Sequence, residues 1–151
     1  MPTPTTELVL LLGIVCNPHN IFFRNLARTS MLQLAPTSVQ SRFVVTKHSK
    51  VSLGKEQATH MDLVFLDCVE GGDLVKQQAI SCKTHKWFQY ALKNLPRAHF
   101  YAKFEDDHFI NLRALVNELH MLEEFDFLYY GLMNWADYTF PVYPGRFNDS
   151  D

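Results

Sequence analysis

Three acidic side chains stand together at Glu105-Asp106-Asp107, directly after the largely apolar run Phe100 to Phe104. Adjacent carboxylates repel one another, so a fold that concentrates them supplies either full solvation or a cation. Carboxylate oxygens are hard ligands suited to Mg²⁺ or Mn²⁺, and such an ion can bridge the two phosphates of a nucleotide diphosphate. As a Lewis acid it would then stabilise negative charge on a departing diphosphate. On charge alone, a solvated acidic turn favoured by the dipole of a following helix accounts for the run equally well. A metal-dependent phosphodiesterase is a third reading, but it wants a second metal's ligands, for which Asp67 and Glu70 are the only nearby candidates. Position in the fold has to separate these.

The elements that would position the run are legible from periodicity. Ala98 to Phe104 reads as a strand that delivers the chain to the acids, and Asn111 can cap a helix whose face is Leu112, Leu115, Val116, Leu119 and Leu122. Upstream, Glu7 to Cys16 reads as a strand buried on both faces. The turn signal Asn17-Pro18-His19-Asn20 follows, then a helix over Ile21 to Leu34. Its expected apolar side carries Phe22 and Leu26, with Phe23, Ala27, Met31 and Leu34 beside them. Arg42 to Thr46 and Met61 to Asp67 read as strands joined by a polar linker with room for a short helix around Glu56. Lys76 to Leu95 is a helix stopped by Pro96, and Trp87 and Phe88 on its apolar stripe read as core. A last strand is expected over Phe127 to Tyr130.

Strands alternating with helices imply an α/β fold, a mostly parallel sheet flanked by helices, and such sheets bind ligands at the carboxyl ends of their strands. The acidic run falls at one such end. The expected organisation is a flexible tail over 1–6, one α/β domain over 7–131 and an irregular aromatic tail over 132–151 with Trp135, Tyr138, Phe140 and Tyr143.

Bulk properties narrow the partners. With 151 residues, 47% hydrophobic and 20% charged, the chain has the composition and length of one globular domain. A net charge of −2 with no Lys/Arg block argues against nucleic acid. Cys16, Cys68 and Cys82 are widely spaced, so neither a disulfide framework nor a zinc site is expected, and at most one bridge fits. The apolar run Leu8 to Cys16 falls well short of the roughly 20 residues that span a bilayer, and it lacks the flanks of a signal peptide.

Four patches resemble the beta-1,3-glycosyltransferase family, which includes the beta-1,3-galactosyltransferases and the Fringe proteins. Arg24 to Met31 (RNLARTSM) resembles the family's Arg-x-x-Ile-Arg-x-Thr-Trp helix, with Met31 in place of Trp. Arg42-Phe43-Val44-Val45 and Asp62 to Asp67 resemble its next two strands, and Cys82-Lys83-Thr84 resembles the end of its Asn-Leu-Thr-x-Lys-Thr element. Phe100 to Asn111 (FYAKFEDDHFIN) resembles the Lys-x-Asp-Asp-Asp-x-Phe-Val-Asn signature, with Glu105 for the first Asp. The resemblance runs from about Leu11 to Gly131.

That resemblance implies the amino-terminal, donor-binding part of a GT-A (Rossmann-like) fold. It further implies a UDP-sugar donor, Mn²⁺ (or Mg²⁺), and inverting transfer of a hexose to an acceptor glycan hydroxyl in protein glycosylation, in the Golgi lumen or membrane. Asp107 matches the metal ligand, while Glu105 and Asp106 would contact ribose, metal-bound water or the ion. Arg24, Arg28 and Lys83 match positions that would bind the nucleotide sugar, since a guanidinium suits phosphate or a nucleobase edge. By residue type alone each reads more readily as a helix-surface cation. The family's catalytic base belongs beyond the acid motif, so no residue here is expected to serve, and both ends read as cut. A non-catalytic remnant that binds nucleotide sugar or nothing is the alternative.

Overall fold

The apolar run at the start becomes β1 (Leu10–Val15), and every residue of it is buried. It is buried because it lies inside a sheet with both faces covered, which is what a run without polar alternation requires. The computed structural model describes residues 8–47, 52–69, 73–126 and 128–131. The expected tails 1–6 and 132–151, with the four aromatics of the latter, lie outside the described residues.

In chain order the elements are β1, α1 (Ile21–Thr29), β2 (Val39–Thr46), α2 (Gly54–His60), β3 (Leu63–Leu66), α3 (Asp73–Asn94), β4 (Phe100–Glu105) and α4 (Leu112–Met121). The sheet has the order β3-β2-β1-β4, and every pairing is parallel. This is the expected α/β architecture with a Rossmann-like strand order. The short helix anticipated near Glu56 is α2, and it completes the crossover between β2 and β3. Among the described residues no helix is long and apolar enough to cross a membrane.

The alternating side chains of β1 feed two cores. Leu10, Leu12 and Ile14 pack with Phe43, Val45 and the α4 residues Leu112, Val116 and Leu119. Leu11 and Val15 face the other way, onto Val44, Val64 and the α3 residues Trp87 and Ala91. Trp87 is core, as its helical stripe predicts, and it is fully buried. Its indole N–H donates to the Ala102 carbonyl of β4 at 3.0 Å. The ring lies so close to Gly13 of β1 that a Cβ there would stand 2.3 Å from its Cε2 atom. Glycine is required at that position by this close approach. One bridge forms, Cys68 to Cys82, tying the end of β3 to α3, and Cys16 is free and buried.

Two expectations are corrected. The helix after β1 ends at Thr29 rather than Leu34, and of its expected apolar side Phe22, Phe23 and Leu26 face outward, Phe22 69% and Leu26 50% exposed, whereas Ala27 and the following Met31 join the core. Beside Ala27 the inward face carries Arg24, the buried residue of α1, and Arg28, which pair with the buried Glu56 and the half-buried Asp62. The strand expected over Phe127 to Tyr130 does not form across 128–130, and Phe127 lies outside the described residues. Leu128, Tyr129 and Tyr130 are exposed, and the Tyr130 hydroxyl donates to Glu118 of α4. That stretch therefore runs beside a helix, with no ladder partner among the described residues.

Candidate functional site

β1 has β2 on one side and β4 on the other, so the strand order reverses between β1 and β4. A crevice opens at such a switch point, and ligands of open α/β sheets bind there. Val15, the last residue of β1, is in register with Glu105, the last of β4. The acidic run therefore begins at the rim of this crevice, opposite the turn from Asn17 to Asn20.

The three acids have different surroundings. Glu105 pairs with Lys103 at 2.5 Å. Asp106 is turned toward β1, where its carboxylate accepts from the Asn20 amide at 3.0 Å. Burial pushes its pKa up; the Asn20 hydrogen bond pulls it back and the neighbouring Asp107 charge pushes it up again. Asp107 points outward, 60% exposed, and among the described residues it meets the similarly exposed His108 imidazole at 2.6 Å. Asn111 caps α4 by accepting from the Ala114 N–H at 3.1 Å, and the first turn of α4 holds no acid.

Among the described residues no group of three or more Asp, Glu, His or Cys side chains is arranged to enclose a metal. The chemistry of the donor set nevertheless fits one kind of site. Mg²⁺ and similar hard ions are held through one or two carboxylates and complete their shell with water and substrate phosphate. The exposed Asp107, with Glu105 near it in sequence, suits an ion shared with a diphosphate.

Arg24, Arg28 and Lys83 stand differently from the acids. The Arg24 side chain is fully buried and donates from Nε and Nη2 to both oxygens of Glu56, and to the carbonyls of Asn17 and Pro18. Arg28 donates to Glu56, to both oxygens of Asp62 and to Asn25, with its guanidinium 4.8 Å from the Phe43 ring centre. Glu56 is thereby clamped by two arginines, and the Arg24 hydrogen bond above all holds its pKa below the usual range against the cost of burial. Lys83, also buried, reaches from α3 to donate to the Cys16 carbonyl at 3.0 Å, under the end of β1. Arg24 and Lys83 thus brace the end of β1 and its turn from behind, Arg28 ties α1 to α2 and to Asp62 before β3, and the acids line the rim. Burial also pushes the Cys16 thiol up to about 12, against the charge of Arg24, which leaves it protonated and inert.

The sequence pattern did not single out Glu56, Asp62 or Asn20 as site residues. Glu56 lies 32 residues from Arg24, and no local spacing announces such a pair. Asn20 was visible only as a turn residue. A small cleft of about 150 Å³ beside Asp106 and Asp107 is lined by Phe23, Leu26, Met31 and Phe109. A larger apolar groove of about 670 Å³ runs along the outer edge of β4, between Phe104, Leu115 and Tyr130.

Residues 24–139 match the family model of the galactosyltransferases, a span that includes most of α1, the acidic run and α4. The chain is also 27% identical over 150 residues to the hydroxyproline O-galactosyltransferase GALT5 of Arabidopsis thaliana, a match that covers 95% of this chain. The chain spans about a fifth of that curated relative's length (21%).

Proposed function

The chain belongs to the galactosyltransferase family, and from that premise we propose that it is the donor-binding part of a hexosyltransferase that takes a UDP-sugar through a divalent ion. The observation that carries the reading is the placement of Glu105-Asp106-Asp107 at the switch point, with Asp107 exposed and unburdened by any helix cap. Mn²⁺ (or Mg²⁺) would be held by Asp107 and, more weakly, by Glu105. When bound, the ion supplies Lewis-acid stabilisation of charge on the diphosphate leaving group.

The remaining work falls to the chain itself. Asp106, tied to Asn20, keeps the acid turn against β1, and Lys83 and Arg24 fix the end of β1 and its turn from below. We assign Arg24 and Lys83 to bracing the nucleotide-sugar site, and Arg28, still partly exposed, to its outer margin. Inverting transfer then delivers the sugar to an acceptor hydroxyl, on a glycan or, as the relative's name suggests, on hydroxyproline in a protein. The Cys68–Cys82 bridge supports folding in an oxidising compartment, in keeping with the Golgi as the site of action.

Calorimetric titration of the chain with UDP, in Mn²⁺ and again in excess chelator, tests the reading. Metal-dependent binding in the micromolar to millimolar range is expected. Absence of binding at millimolar UDP in Mn²⁺ would leave the alternative, a non-catalytic remnant without a working donor site.

A further inference from the structure

Asn20 occupies the N-cap of α1, where an asparagine side chain ordinarily accepts from the second or third N–H of the helix. Here it makes no cap hydrogen bond. Its amide instead crosses the crevice to Asp106, 86 residues away, at 3.0 Å. An ionised carboxylate only accepts, so the nitrogen has to face it; the reversed amide would set two oxygens together. The side chain therefore serves the facing loop at the expense of its own helix.

We propose that Asn20 is a positioning residue of the donor site: by holding Asp106 against the β1–α1 turn, it leaves Asp107 as the carboxylate presented to the ion and its diphosphate. Two adjacent acids would otherwise be interchangeable ligands on a turn free to rotate. The hydrogen bond gives them separate fates, one drawn inward and one outward at 60% exposure. The anchor is itself rigid. Arg24 grips the carbonyls of Asn17 and Pro18 on the turn that leads to Asn20, and Glu56 grips Arg24 with both oxygens. A chain of contacts, buried at Arg24 and Glu56, thus runs from α2 through α1 to the acid turn, which is the kind of outer support that fixes a ligand's geometry.

The inference rests on the donor-site reading, and the experiment separates the two. UDP affinity in Mn²⁺ is measured for the unaltered chain, Asn20→Leu, Asp106→Ala and the double variant, each checked for wild-type circular dichroism. Loss of one hydrogen bond to a charged group predicts about tenfold weaker binding for Asn20→Leu. In the Asp106→Ala background the same substitution should cost nothing further, because Asn20 acts through Asp106. Equal losses in both backgrounds, or no loss in either, would overturn the inference while leaving the donor site intact. An unaltered chain that shows no metal-dependent binding would overturn both. Asn20→Ser, which retains a capping oxygen but cannot span the crevice, gives the same comparison should Asn20→Leu fail to fold.

Discussion

Two groups of charged side chains flank the turn after β1, and they are built in opposite ways. Between α1 and α2, Arg24, Arg28, Glu56 and Asp62 are drawn inward and neutralise one another; the Arg24 and Glu56 side chains are 0% and 5% exposed. Across the crevice, Glu105, Asp106 and Asp107 are all negative, and the outermost of them meets only an exposed histidine. Charges that satisfy each other hold a fold together, while charges left in excess at a strand end need something from outside. On the proposed reading the difference separates bracing residues from those offered to a ligand, although the family resemblance alone treats Arg24, Arg28 and Asp107 as members of one site.

Substitutions should break the two groups differently. Glu56→Ala leaves two arginines without their shared acceptor, one of them fully buried, and should cost about 3–5 kcal/mol in urea unfolding. Gly13→Ala tests the frame common to both groups: Trp87 has to move, losing its bond to Ala102, at about 1–3 kcal/mol. Asp107→Ala should change stability by less than about 0.5 kcal/mol, since its side chain is exposed and its contact with His108 is a surface pair.

Acid titration sharpens the contrast further. The folded-state pKa of Glu56 is depressed, so its contribution is complete above about pH 4.5, its ordinary value, and is lost as pH falls toward the folded pKa. Asp106 is shifted the other way, so ionising it costs the fold as pH rises through its raised pKa. Glu56→Gln should therefore flatten the acid limb of a plot of Tm against pH, whereas Asp106→Asn should give a slightly higher Tm at neutral pH. The same sign for both variants would mean that the two groups do not differ as described.

Local chemistry made much of this legible in sequence. The β-branched run of β1, the long stripe of α3, the Asn111 cap and the strand ending at the acids each depend on neighbours within a few residues, and each stands where periodicity puts it. What escaped depends on distant partners. The exposed Phe22 and Leu26 form an apolar stripe that normally marks the inner face of a helix, but Glu56 and Asp62 recruit the arginines on the opposite side. Gly13 reads as a break in a strand until the Trp87 ring is seen against it. The β-rich composition of Phe127 to Tyr130 promised a strand, but no ladder partner meets 128–130.

The most direct test of the account is the affinity of Asp107→Ala for UDP in saturating Mn²⁺, measured beside its thermal unfolding. The account predicts a wild-type Tm with metal-dependent binding weakened by about a hundredfold or more, as expected when a first-row ion loses its principal carboxylate ligand. A folded Asp107→Ala chain that binds UDP and Mn²⁺ as tightly as the unaltered one would contradict it.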